Sequence, residues 1–115
     1  MRREERLARR KDFAAVYNSG RSWGNNLLIL KALPNGLENN RYGFAVGKRL
    51  GKAVLRNRIK RLLREGVRQT PTKVGWDIVL IARKRINTAD YHRIKERLEN
   101  LLAQSQLLNA TRPSK

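Results

Sequence analysis

Residues 51–65 run Gly51, Lys52, Ala53, Val54, Leu55, Arg56, Asn57, Arg58, Ile59, Lys60, Arg61, Leu62, Leu63, Arg64, Glu65. Leu55, Ile59, Leu62, Leu63 and Val67 recur at helical spacing and predict one amphipathic helix over about residues 53–69. At about 100° per residue, Arg56, Lys60 and Arg64 form a stripe opposite the apolar face. Asn57, Arg61 and Arg68 form a second stripe beside it. From Arg41 to Arg64 there are nine Lys or Arg and no Asp or Glu. Like charges at i, i+4 repel, so such a helix is relieved by a polyanion, with RNA or DNA as the natural candidates.

Outward from this helix, strand signals lie on both sides. Arg41 to Val46 alternates, with Tyr42, Phe44 and Val46 on one face and the small Gly43 and Ala45 on the other. The small face admits something close, a packed helix or a ligand. Trp76 to Ala82 is the strongest strand, and Leu27 to Leu33 is a nearly continuous apolar run stopped by Pro34, Asn35 and Gly36. Ser22 and Trp23 suit a short strand. Gly47 to Gly51 reads as a basic loop.

Residues 11–18 predict a short first helix, with Phe13, Val16 and Tyr17 at i, i+3, i+4 and Gly20 placed for a left-handed C-terminal residue. A last helix is predicted over about residues 89–106, with Thr88 as N-cap, Asp90 in its first turn, and Tyr91, Ile94, Leu98, Leu101 and Leu102 on its buried face. The order αβββαβα predicts an α+β protein, a two-layer α/β sandwich in which helices cover one sheet. At 115 residues we expect a single domain, 1–115, with a charged arm at 1–10 and a flexible polar tail at 109–115.

The net charge is +18, from 27 Lys and Arg against nine Asp and Glu. That balance favours a nucleic-acid partner over ordinary globular surfaces. No lipid-facing amphipathic helix or lipidation signal supports a membrane partner. There are no cysteines, so disulfides and thiolate metal sites are excluded. No apolar run is long enough to span a bilayer, and no hydrophobic leader follows the charged N-terminus, so a cytoplasmic location is expected.

Catalysis by the polypeptide is not expected. The acids are scattered singly apart from Glu4 and Glu5, and His92, the one histidine, falls off the apolar stripe of its helix. Nuclease chemistry needs clustered carboxylates for metal ions or an acid–base pair. Gly47 to Lys52 lacks the length and the Ser/Thr of a phosphate-binding loop. We assign no catalytic residue and no protein-bound metal or cofactor.

Lys48, Arg49, Gly51, Ala53 and Val54, followed by Arg56, Asn57, Arg58, Ile59, Lys60, Arg61, Leu62 and Arg64, closely resemble the RNR motif of the protein subunits of bacterial ribonuclease P. Supporting matches are Asp12, Phe13, Val16, Tyr17, Gly20, Ser22 and Asn25 upstream, and Asp77 to Arg83 downstream. The resemblance spans about Leu7 to Leu108. It implies a ribonucleoprotein that endonucleolytically removes the 5′ leader of precursor tRNA. Its catalytic RNA subunit would carry the active site and the Mg2+, and the protein would bind that RNA and hold the single-stranded leader between the first helix and the sheet. It also implies a ribosomal-protein-like fold, one mainly antiparallel four-stranded sheet with three helices, and a left-handed βαβ crossover, against the usual handedness.

Arg56, Lys60 and Arg64 are the leading candidates for phosphate contact, because Arg grips phosphate with two parallel hydrogen bonds and Lys acts as a point charge. Arg61 and Arg68 share that surface, and Lys48, Arg49 and Lys52 precede it. Asn57 offers donor and acceptor together. Arg58 lies on the other flank, where RNA contact and internal pairing stay equally open. Phe13 and Tyr17 share a helix face and read as core residues; the resemblance moves them to the rim of the leader cleft, where an aromatic face can stack on an unpaired base. Lys31 stands where relatives often carry an aromatic, which would make leader contact there more electrostatic. Arg83, Lys84 and Arg85, and likewise Arg9, Arg10 and Lys11, are basic runs that suit solvent or RNA equally. The competing assignment is a ribosomal or other structural RNA-binding protein. A DNA-binding helix-turn-helix is disfavoured by the strand-like 27–33 and 76–82 segments.

Overall fold

A computed structural model describes residues 3–108. Three helices, α1 (Arg10–Ser19), α2 (Ala53–Arg68) and α3 (Tyr91–Gln104), accompany four strands, β1 (Arg21–Gly24), β2 (Leu28–Pro34), β3 (Arg41–Ala45) and β4 (Trp76–Ala82). The expected tail at 109–115 and the first two residues of the expected arm lie outside the described residues.

The sheet order is β1-β2-β4-β3. β1 with β2 and β2 with β4 are antiparallel, while β3 and β4 run parallel. Parallel neighbours need a crossover, and α2 supplies it.

Alternation along each strand sends side chains to two faces. Leu28, Leu30, Ile78 and Leu80 point to one face, where they meet Ile59 and Leu63 of α2 and Ile94, Leu98, Leu101 and Leu102 of α3 in the main core. Val79 points to the other face and packs with Val16 of α1 and Leu7, flanked by Phe13, Leu33, Ala45 and Ile81. The expectation that helices cover one side of the sheet therefore holds for α2 and α3, while α1 covers the opposite side. The physical reason is that β2 and β4 are apolar on both faces, so each face needs a cover.

The small face of β3 admits a helix. A Cβ built on Gly43 would lie 2.6 Å from Cε1 and Cζ of Phe13, so the missing side chain is the seat of the α1 aromatic.

Several local expectations are corrected. Gly20 is extended (φ −77°, ψ 159°) rather than left-handed. Its side-chain space is closed: a Cβ there would sit 2.5 Å from the Val16 carbonyl oxygen and 2.9 Å from that of Ala32. The N-cap of α3 is Asp90, not Thr88, because the Asp90 carboxylate accepts from the Arg93 amide at 2.9 Å. The Thr88 hydroxyl instead donates to the Arg85 carbonyl at 3.3 Å. The two basic loops each contain a 3-10 turn, Lys48–Leu50 and Lys84–Thr88, held by burial of Leu50 and Ile86. β3 ends one residue early, at Ala45.

Candidate nucleic-acid interface

Three side chains set the roll of α2: Ile59, Leu63 and Val67 are buried, with Leu55 and Leu62 packed at the margin. That roll leaves Asn57, Arg61, Arg64 and Arg68 at the outward crest, all exposed. Lys52 and Arg58 are exposed as well. Arg56 and Lys60, read from the sequence as opposite the apolar face, lie on its flank and are half-buried. Arg56 Nε donates to the Gly51 carbonyl at 3.1 Å, which fixes the guanidinium beside the start of the helix.

The start of α2 concentrates positive potential. Lys52 is the N-cap residue, no side chain caps the first turn, and no acid stands in it. The exposed Lys48 and Arg49 precede it. Helix amides and cations that point outward together favour an anion at this end. Asn87 Nδ2 donates to the Leu50 carbonyl at 2.8 Å and ties the 48–50 turn to the 84–88 turn. This brings the exposed run Arg83, Lys84 and Arg85 to the same end of the molecule.

Among the described residues, no ion pair engages Lys48, Arg49, Lys52, Arg56, Arg58, Lys60, Arg61 or Arg64. Arg68 differs, because its guanidinium is paired with Glu65, whose carboxylate also accepts from Gln69 Nε2 at 2.7 Å. A groove of about 520 Å3 runs beside the crest, lined by Tyr42, Arg61, Arg64, Glu65, Val67 and Arg68 together with Glu5.

Arg41 does not belong to this ridge. Its Nε and Nη2 donate to the two carboxylate oxygens of Asp77 at 2.8 and 2.7 Å, and Nη1 lies 3.5 Å from Asp12 Oδ2. The hydrogen bonds to Asp77 raise the Arg41 pKa above its ordinary value; burial opposes that shift, and the charges of Asp77 and Asp12 add to it.

On the α1 side of the sheet the aromatic pair divides its roles. Phe13 is half-buried against Gly43 and Leu7, whereas Tyr17 is 41% exposed. Lys31 Nζ stands 5.8 Å from the centre of the Tyr17 ring, within range of a cation–π contact. Beside Lys31, the register aligns Ile29, Ile81 and Ala45 across three strands on the same face, all half-buried. This apolar row extends the rim formed by Tyr17 and Lys31 into a shallow trough. The sequence reading missed it, although the alternation of β2 and β4 carries the signal.

Among the described residues, no group of three or more His, Asp or Glu comes together in a way that could hold a metal ion. No helix among them is long and apolar enough to cross a membrane. His92 is exposed, beside the ring of Tyr91.

Comparison with known proteins gives a consistent result. The family model described as Ribonuclease P matches residues 1–106. The ribonuclease P protein component of Dehalococcoides mccartyi is 43% identical over 109 residues, covering 95% of this chain and 91% of the relative. That of Caldanaerobacter subterraneus subsp. tengcongensis is 40% identical over 104 residues, covering 89% and 90%. The solved RNase P protein of Staphylococcus aureus superposes with a TM-score of 0.83 at 32% identity, covering 91% of this chain and 98% of that one.

Proposed function

The chain belongs to the ribonuclease P protein component family, and from that premise we propose that its cationic ridge binds the RNA subunit while its trough holds the leader of precursor tRNA. As a subunit of the ribonuclease P holoenzyme it takes part in tRNA processing with an RNA partner. The observation that carries the reading is the pairing of two surfaces. Eight cations with no ion pair among the described residues surround α2, and a half-buried apolar row with an exposed tyrosine lies on the opposite face of the sheet.

In this reading Arg61, Arg64 and Asn57 meet RNA at the crest of α2. Arg56 and Lys60 act from the flank, and Lys48, Arg49 and Lys52 serve the anion-favouring start of the helix. Arg58 adds a cation on the second flank. Arg68 contributes least, since Glu65 already engages it. Tyr17 stacks on a leader base, Phe13 holds α1 in place behind it, and Lys31 neutralises a leader phosphate.

Hydrolysis is left to the RNA. The described residues offer no donor set for Mg2+, so the ions required by the holoenzyme belong in this reading to the RNA subunit. The protein's part is electrostatic and positional: it lowers the repulsion between two polyanions and orders a single strand beside the scissile bond. DNA and membranes have no role in it, and the cytoplasm is its site of action.

Reconstitution with the catalytic RNA tests the proposal. Leader removal at low Mg2+ should require the protein. Affinity for leader-bearing precursor should fall with salt at a slope near −0.7 per single-strand phosphate neutralised. Cleavage by the polypeptide alone, or no stimulation of the RNA, would refute it.

A further inference from the structure

The rim of the trough stands on α1, and α1 is a poor helix by itself. It has ten residues, one buried side chain (Val16), and no side-chain cap at Arg9. Isolated helices of this length are marginal in water, so its orientation comes from contacts with the sheet. Three of those contacts are steric: Phe13 against Gly43, Val16 against Val79, and Gly20 against the backbone of Ala32. They fix how closely the helix approaches. One is ionic and directional, the 3.5 Å approach of Asp12 to Arg41 Nη1.

Arg41 is a fixed post. Asp77, which holds it with two hydrogen bonds, is 5% exposed and accepts a further bond from Asn35 Nδ2 at 2.9 Å. Asp77 and Arg41 are register partners on β4 and β3, so the post is built into the sheet. Of the guanidinium nitrogens, Nη1 is left to reach α1. Asp12 lies on the α1 flank away from Tyr17, at the opposite end of the helix's buried face. An anchor there sets the angle at which the Tyr17 end crosses Lys31.

We propose that Asp12, acting through the Arg41–Asp77 pair, is a positioning residue for leader binding: it fixes α1 so that Tyr17 stands over the edge of the Ile29–Ile81–Ala45 row. The inference rests on the trough being the leader site. It makes a prediction opposite in sign to simple electrostatics. Removing an acid from so basic a protein should strengthen RNA binding, whereas loss of the anchor should weaken binding of the leader.

The test uses the reconstituted holoenzyme with Asp12→Asn, Asp12→Glu and Tyr17→Ala. Each is titrated with precursor tRNA carrying a long leader and with the leaderless tRNA. Assembly with the catalytic RNA and thermal melting of the protein are measured in parallel. Asp12→Asn should weaken leader-bearing precursor roughly three- to fivefold, the scale of one partly exposed charge pair. Binding of leaderless tRNA and assembly with the RNA should stay unchanged, and Asp12→Glu should restore leader affinity by reaching the same nitrogen. If Tyr17→Ala weakens leader binding while Asp12→Asn leaves it equal or tighter, the positioning role is overturned and the trough stands. If neither substitution changes leader binding, the trough itself is overturned. Equal losses for both tRNAs, with a lowered melting point, would make Asp12 merely structural and would also overturn the proposal.

Discussion

Arg41 carries the same guanidinium as Arg61, yet its strongest hydrogen bonds end on Asp77 inside the protein, at 2.8 and 2.7 Å. Sequence alone grouped the two, because both fall in a segment without acids; the partners of Arg41 come from elsewhere in the chain, at positions 12 and 77. Arg41→Ala should cost about 2–3 kcal/mol in urea unfolding, because a nearly buried carboxylate loses its cation. Asp12→Ala should cost less than about 1 kcal/mol, since its contact is longer and single. The raised pKa of Arg41 means that its contribution is complete below the ordinary arginine range and is lost only as pH climbs through the raised value. It is therefore constant across neutral pH. For Arg61 and Arg64 the expectation reverses. The double change to Ala should leave the melting point near that of the parent and flatten the salt slope of RNA binding by about 1.4, two single-strand phosphates at roughly 0.7 each. Arg68→Ala should flatten it by less, because Glu65 competes for that side chain.

The seven main elements were legible because each carries its own period: apolar residues at helical spacing in α2 and α3, and alternation or continuous apolar runs in β2, β3 and β4. Their ends were less so. Asp90 and Thr88 are both good capping residues, and the choice depends on Thr88 joining the preceding 3-10 turn. Gly20 stands where a left-handed terminator belongs, yet it is needed because the α1 end passes against the Ala32 backbone, a contact between elements distant in sequence. The pairing of α1 with β3 yields a prediction at this scale. Gly43→Ala should destabilise the protein by about 1–3 kcal/mol, because its methyl group would overlap the Phe13 ring. Combining it with Phe13→Leu should recover part of that loss. Simple additivity of the two changes in denaturant unfolding would show that they do not touch.

At the scale of the molecule, charge and architecture answer different questions. A net charge of +18 announces a polyanionic partner without saying where it lies. The fold supplies the location by placing α2 and α3 on one side of the sheet and α1 on the other. The cationic ridge and the aromatic rim are thereby kept on different faces. That division was hidden in the sequence, because apolar strands state that both faces are covered and not which helix covers which. The roll of α2 was legible as a core stripe, whereas the half-buried station of Arg56 and Lys60 depends on how the neighbouring 48–50 turn wraps its start.

The uncapped beginning of α2 has one further consequence. Peptide hydrogens at Ala53, Val54 and Leu55 precede the first repeating bond, which Arg56 makes to the Lys52 carbonyl at 3.0 Å. In the free subunit they should trade with deuterium quickly. On assembly they should slow markedly, while those beneath Leu63 barely alter. The helix would then owe its first turn to the ribonucleotide chain seated there, making folding and assembly a single linked equilibrium.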